Sequence, residues 1–257
     1  MVSRIKALMP AAAEPLAIRT WFFLRPIVRT AFFGHARYCP VCRSHCRRFL
    51  SHGSPSRRLQ DVVCPVCLSH PRLRLAWLFL SARSDLLDGR RRRVLHVAPE
   101  PALAEHLRRA RNMEIVSADL DSPHAMVKLD VTRIDRESAS FDVILCSHVL
   151  EHVEDDRKAM RELFRVLRPG GWAMIQVPLS GQPTFEDPSI TDPVERERLF
   201  WQADHVRLYG LDIADRLREA GFEVETVFGD ELVAPDQLVK TGIYSRDAAF
   251  LCRKAKP

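Results

Sequence analysis

The sequence predicts an α/β chain, a doubly wound sheet behind a small cysteine-rich module, and three observations predict it. Residues 141–177 pass from a short apolar run, Val143-Ile144-Leu145, to apolar positions at helical spacing (Ala159, Leu163, Val166, Leu167). A second apolar run follows at 172–177. Strand, helix, parallel strand is the repeating unit of a sheet covered on both faces. Two copies of C-P-V-C, with 21 residues between them, stand in the first third of the chain. The charge is also divided: residues 1–93 carry +14 and residues 94–257 carry −8, which together make the net +6. A basic front on an acidic body predicts two modules with different partners, although a solvated basic surface would read the same way. At 257 residues and 46% hydrophobic, the chain is long enough for one sizeable core and an appendage. No stretch is long and uncharged enough to cross a bilayer.

Residues 1–37 are expected to be irregular, because Pro10, Pro15 and Pro26 interrupt any long helix. Within them, 17–34 mixes Trp21, Phe22, Phe23, Phe32 and Phe33 with Arg19, Arg25 and Arg29. The arginines exclude an ordinary spanning helix, and the segment lacks the features of a signal peptide. It is expected to dock on the folded body or a partner. Peripheral membrane contact is the alternative, since aromatics beside cations suit a headgroup region.

The chain has seven cysteines, and in a protein read as cytoplasmic they are not expected to form a disulfide framework. Cys146 and Cys252 fall in apolar runs and read as core thiols. Cys39, Cys42, Cys46, Cys64 and Cys67 crowd into 29 residues. Each C-P-V-C sets two thiolates on a tight turn, and two such turns supply a tetrahedral shell for zinc from Cys39, Cys42, Cys64 and Cys67. His45 and Cys46 are spare ligands. A redox pair would occur once, in a strand–helix–strand context. Arg43, Arg47, Arg48, Arg57, Arg58, Arg72 and Arg74 surround the knuckles. They are candidates for phosphate contact, in a module that is otherwise a structural staple. The module is expected over 38–72. An apolar helix at 73–80 would link it to the main domain, and the arginines of 90–93 form a solvated lead-in.

The main domain, 94–257, opens with a strand at 94–97, a helix at 101–110 and a second strand at 115–118. Pro101 suits the first helical position. The connecting loop, His96-Val97-Ala98-Pro99-Glu100-Pro101, contains no glycine. The next segment, 141–171, reads FDVILCSHVLEHVEDDRKAMRELFRVLRPGG, and its Pro169-Gly170-Gly171 is expected to stop the helix before the following strand. Ser147, His148, Glu151 and His152 fall at the carboxyl end of the 141–147 strand, where doubly wound sheets bind ligands.

The pattern FDVI…VLEHV…D…A…E..RVL.PGG resembles the later motifs of class I S-adenosylmethionine-dependent methyltransferases, of the type 11-like kind. Their fold is a Rossmann-like sheet of seven strands. The resemblance covers 94–177 and closing strands at 222–228 and 248–253. With the C-P-V-C pairs, the HVAPE loop, ADLDSP, RVLRPGGW, EDPSIT and DHVRLYG, it extends along 38–253 to a group of bacterial methyltransferase-domain proteins. It implies S-adenosylmethionine as cofactor. The family's first strand ends in an acidic-x-Gly-x-Gly loop. Here the matching residues are His96, Ala98 and Glu100, so a small alanine and the helix N-terminus must serve in place of glycine. Glu100 would face the methionine or ribose portion, or act only as a helix-start carboxylate. Asp119 would accept hydrogen bonds from the ribose hydroxyls, with Asp121 as the alternative and a plain turn in DLDSP as the other reading. Asp130 would meet the adenine amino group, and Ser147 and His148 would complete the cofactor set. No N/D-P-P-Y tetrad occurs, which argues against methylation of a base amino group by the usual arrangement.

Residues 178–210 are too long for a simple connection and read as a lid. They carry Glu186 and then FWQADHVRLYG. His205 is the first candidate for the base that removes an acceptor's proton, with Asp204 orienting it; His148 and His152 compete. His152, Glu186, Arg207 and Tyr209 are the expected acceptor contacts, although the same residues would serve to anchor a helix at 211–220. The resulting expectation is O-methylation of a small molecule or glycan. An RNA methyltransferase is the alternative, because ribosomal RNA guanine methyltransferases also join an N-terminal zinc module to this fold. The basic front favours RNA, and the lack of an aromatic stacking platform weakens it. A non-catalytic scaffold with a degenerate cofactor loop is the third reading.

Overall fold

The computed structural model describes residues 20–21, 23–53, 58–122 and 125–256. The chain divides into two compact units, Met1–Arg83 with Gly229–Arg246, and Ser84–Phe228 with Asp247–Pro257. Residues 229–246 thus group with the cysteine-bearing unit although they follow most of the sheet in sequence. Among the described residues, no helix is long and apolar enough to cross a membrane.

The cysteine-bearing unit is made of two hairpins and short helices. Strand β1 (Arg37–Cys39) pairs antiparallel with β2 (Ser44–Cys46), and β3 (Leu50–His52) with β4 (Leu59–Val63). The apolar stretch after the second knuckle forms the helix Pro71–Ala82, with proline at its first turn and Leu73, Leu75, Phe79 and Leu80 buried. Leu75 packs with Val233 and Ile243 from the returning segment. The described part of 17–34 docks on the knuckles. Trp21 Nε1 donates to the Pro65 carbonyl at 3.0 Å, and Arg29 to that of Cys42 at 3.1 Å. Phe23, Ile27 and Phe33 remain exposed. Pro10, Pro15, Ala17, Arg19, Phe22 and Arg57 lie outside the described residues.

The second unit carries β5 (Arg92–Val97), β6 (Met113–Asp119), β7 (Val127–Lys128), β8 (Phe141–Ser147), β9 (Leu167–Gln176), β10 (Phe185–Glu186), β11 (Arg207–Leu208), β12 (Glu223–Phe228) and β13 (Ala248–Arg253). Seven of these form one sheet in the order β12-β13-β9-β8-β5-β6-β7. β9, β8, β5, β6 and β7 run parallel; β13 alone runs against them, paired antiparallel with both β9 and β12, so β12 points the same way as the other five. Leu95, Val97, Ile144, Cys146, Ala173, Ile175, Phe250 and Cys252 supply its core, so both solitary cysteines are core thiols as expected.

The helix Asp156–Val166 starts under an Asp155 cap, whose carboxylate accepts the Lys158 N–H at 2.9 Å. It ends one residue earlier than expected, and Pro169-Gly170-Gly171 lies inside β9 instead of between helix and strand. Leu167 is already extended and pairs with Phe141, and the register then shifts between Phe141 and Val143. The glycines make that irregularity feasible: Gly170 has φ +77°, and a Cβ on Gly171 would sit 2.6 Å from the Asp142 carbonyl. The lid is more ordered than a bare loop. Its ends pair as β10 and β11, and the helix Pro193–Phe200 between them is capped by Asp192.

Candidate functional site

The sulfurs of Cys39, Cys42, Cys64 and Cys67 all lie within 4.8 Å of one another. Cys39 and Cys67 are 3.6 Å apart and Cys42 and Cys64 3.7 Å. Zn–S bonds of about 2.3 Å place tetrahedral sulfurs about 3.8 Å apart, so the measured edges fit such an ion. Arg74, fully buried, donates to the carbonyls of Ser69 at 2.6 Å, Val62 at 3.0 Å and Gly242 at 2.9 Å. No carboxylate pairs with it among the described residues. A buried cation needs compensation, and a four-thiolate shell, which carries net negative charge around a divalent ion, offers it. Cys46 and His45 fall outside the cluster; the His45 ring packs on Tyr38 at 4.9 Å. Arg37 is likewise committed, to Asp61.

At the other unit, the carboxyl ends of β5 and β6 carry the expected cofactor residues. Ala98 has φ +48°, the left-handed backbone that glycine supplies elsewhere, and its N–H donates to the Ala118 carbonyl at 2.8 Å. The loop therefore makes the turn without glycine, against a steric cost of about 1–2 kcal/mol. Asp119 ends β6. Its Oδ1 accepts N–H bonds from Asp121 at 2.9 Å and Ser122 at 2.8 Å, which fixes the carboxylate while leaving Oδ2 for a ligand. The helix Pro101–Arg109 begins at Glu100 with no side-chain cap, so its first N–H groups remain available. These features fit a nucleoside cofactor. His96 is buried on β5, and burial pushes it down to about 4, so it is neutral at physiological pH. Asp130 is exposed, and its Oδ1 accepts from both the N–H and hydroxyl of Thr132, at 2.7 and 2.8 Å.

Beyond β8 the chain turns sharply at His148, φ +56°, whose N–H donates to the Gln176 carbonyl at 2.9 Å. Ser147 donates to the buried Gln176 side chain at 3.1 Å, which orients it along β9. The 3-10 turn Leu150–His152 then places Glu151 in the interior at 1% exposure. Neither Glu151 oxygen accepts a hydrogen bond, and His148 Nδ1 lies 3.2 Å from Oε1. Burial opposes ionisation of Glu151, and the imidazoles of His148 and His152 outweigh it, holding the carboxyl below its ordinary value.

Residues 178–210 lie against this end. The Val206 N–H donates to the Glu151 carbonyl at 2.9 Å and brings His205 beside the turn. Its ring stands edge-on to that of His152, 4.6 Å between centroids. His205 Nδ1 is 2.7 Å from the Phe200 carbonyl and must donate to it, so the buried Nε2 carries the lone pair and has no partner. Burial lowers His205 below its ordinary value, which keeps it neutral near pH 7. Asp204 orients His152, 3.2 Å from its Nδ1, and not His205.

The remaining lid residues take another role than the one expected. Arg207 is 5% exposed and donates to the carbonyls of Leu150 at 3.0 Å, Glu154 at 2.7 Å and Val153, and to Glu186 at 2.7 Å. Tyr209, fully buried, donates to Asp156 at 2.6 Å, and Arg216 bridges Asp156 and Glu186 at 2.9 Å each. Arg216 first, then Arg207, holds Glu186 down to about 2. With their polar groups spent on the turn and on each other, Arg207 and Tyr209 anchor the lid and have nothing left to offer an acceptor.

Two members of this end escaped the sequence reading. Asp156, at 4% exposure, anchors the network, and nothing in its local sequence sets it apart from Asp155. Asp247 immediately precedes the closing strand β13; burial raises it to about 6, against the opposing influence of His148.

Residues 70–227 match the family described as "Methyltransferase domain". The chain is 31% identical over 147 residues to a "Probable S-adenosylmethionine-dependent methyltransferase" of Mycolicibacterium smegmatis, covering 57% of this chain and 49% of that protein. It is 29% identical over 144 residues to an uncharacterized protein in a transposon of Streptomyces fradiae, covering 52% and 37%. The chain thus spans about half or less of the length of the curated relatives it matches. The crystal structure of a SAM dependent methyltransferase from Archaeoglobus fulgidus superposes with a TM-score of 0.50 over 72% of this chain and 95% of that one. At 14% identity that likeness establishes the fold. The sheet order, the strand-end site and the family match over more than half of the sequence agree: the chain belongs to the methyltransferase-domain family.

Proposed function

We propose that the chain transfers a methyl group from S-adenosylmethionine to an oxygen of a small molecule or glycan. The observation that carries this reading is the polar grouping along the carboxyl edge of one sheet, Asp119 beyond β6 and Glu151 with His152 beyond β8. In this reading Asp119 holds the ribose hydroxyls, and the left-handed turn at Ala98 brings backbone and the helix start at Glu100 toward the cofactor. Bound there, S-adenosylmethionine supplies an electrophilic methyl group on a sulfonium centre. Ser147 and His148 line the boundary between cofactor and acceptor. A neutral hydroxyl is a poor nucleophile until its proton is taken. Glu151, His152 and His205 face the acceptor and deal with that proton, with Asp247 and His148 beside them to pass it outward. The lid excludes water, and the Arg207–Asp156–Arg216–Glu186 network keeps it closed on the turn.

Cys39, Cys42, Cys64 and Cys67 hold one zinc ion as the staple of a unit built from short hairpins, and Arg74 balances the charge of its thiolates. The RNA alternative gains no specific support, since Arg29, Arg37 and Arg74 of the basic front are committed to partners within the chain. Methyl-labelled S-adenosylmethionine, incubated with the protein and with separated small-molecule, glycan and RNA extracts, tests the reading. Label is expected in the first or second extract. Label confined to RNA would select the alternative, and label in none would contradict methyl transfer to these acceptors.

A further inference from the structure

Three side chains at the lid-covered end of β8 form an arrangement that base chemistry alone does not require. Glu151, His152 and His205 each offer a ligand atom, and these atoms lie within 4.8 Å of one another. Their tautomers are set from outside. The Phe200 carbonyl accepts from His205 Nδ1, and the Asp204 carboxylate lies against His152 Nδ1, so both rings present Nε2 lone pairs. Such outer partners are the usual means of aiming imidazoles at a metal. Glu151 and the His205 Nε2 are buried and lack hydrogen-bond partners. A buried carboxylate that accepts no hydrogen bond and has only the His148 ring beside it is costly next to an unfilled lone pair, and a cation between them removes both costs together. Ligands about 2.0–2.2 Å from a tetrahedral ion lie about 3.3–3.6 Å apart, so side-chain atoms within 4.8 Å of one another can close on an ion by small side-chain rotations.

We propose that Glu151, His152 and His205 hold a divalent first-row transition ion of the zinc type, with an open position toward the acceptor. Two imidazoles and one carboxylate are a nitrogen–oxygen set that suits such ions better than calcium or magnesium. Three protein ligands leave one position free, and the third of the His152 side chain that is exposed opens the site on one side. The acceptor class follows: a molecule whose reacting hydroxyl has a second oxygen or nitrogen close enough to chelate. This assignment rests on reading the end of β8 as the acceptor site, and it gives His205 a ligand's role in handling the acceptor proton.

The test is a calorimetric titration, with Co2+, of the full chain carrying one zinc ion per molecule by elemental analysis, followed in the visible spectrum. Cobalt in a nitrogen–oxygen site shows ligand-field bands without the thiolate charge transfer of a cysteine site. One equivalent is expected to bind in the native protein. His152→Ala, at a partly exposed position that the fold does not need, and Asp204→Asn should each weaken that binding by about 10–100-fold. S-adenosylmethionine affinity is measured on the same samples. If Co2+ does not bind, or binds only with charge-transfer bands, or binds equally well to His152→Ala, the metal assignment is overturned, whatever happens to the cofactor. If Co2+ binds as expected while S-adenosylmethionine does not, the assignment stands and the methyl-transfer reading fails.

Discussion

The chain gathers two sets of ligand-type side chains, and they are built in opposite ways. The cysteine cluster draws its four donors from two short turns, one joining β1 to β2 and one following β4, and Ser69 Oγ lies 3.1 Å from Cys39 Sγ and 3.2 Å from Cys67 Sγ. The Glu151 cluster draws its donors from the end of a sheet strand and from the return of a lid more than 50 residues later, and leaves buried polar atoms unpartnered. The contrast separates two uses of converging donors. Where the donors tie short hairpin and turn segments together, their loss is a loss of fold. Where a sheet, a helix and an ion-pair network already hold the donors in place, their loss is a loss of chemistry.

The largest expected effect lies at the cysteines. Cys64→Ser should remove one metal ion per chain by elemental analysis and abolish cooperative unfolding of the cysteine-bearing unit, because a structural zinc site contributes folding energy outright. A variant that folds like the native chain would erase the contrast. An intermediate effect is expected where the second cluster is supported. Asp156→Asn leaves Arg216 and Arg207 short of a buried partner and should cost about 3–5 kcal/mol in thermal or denaturant unfolding. The smallest effect on stability is expected at the second cluster itself: His152→Ala should stay within about 0.5 kcal/mol of the native protein while turnover falls. Should its stability drop as far as that of Asp156→Asn, the Glu151 cluster would be a staple as well.

The same contrast explains what the sequence could reveal. The cysteine set is local, two C-P-V-C turns whose spacing alone names all four residues. The sheet was legible for a similar reason, since Val94, Val143 and Ile175 sit in short apolar runs that only a doubly covered strand requires. Asp119 could be located because it follows such a run at once. Glu151 reads in sequence only as a polar residue, because its meaning depends on His205, which only the path of residues 178–210 brings beside it. Arg207 and Tyr209 read in sequence as acceptor contacts because a polar cluster in a long loop looks the same whether it faces a ligand or its own backbone. Their carbonyl and Asp156 partners lie more than 50 residues away in sequence. The Pro-Gly-Gly stop was displaced for a subtler reason: Leu167 pairs with Phe141 before the glycines are reached, so the strand begins first.

The measurement that bears most directly on the account is a calorimetric titration of the chain with S-adenosylmethionine, beside the same titration of Asp119→Ala. The native protein should bind despite its glycine-free loop, since Ala98 already holds the backbone that glycine would supply. The variant should bind about 10–100-fold more weakly, the scale of two lost charge-assisted hydrogen bonds, or about 1.4–2.8 kcal/mol. No heat from the native chain, or equal affinity in both, would contradict the assignment of this strand end to the cofactor.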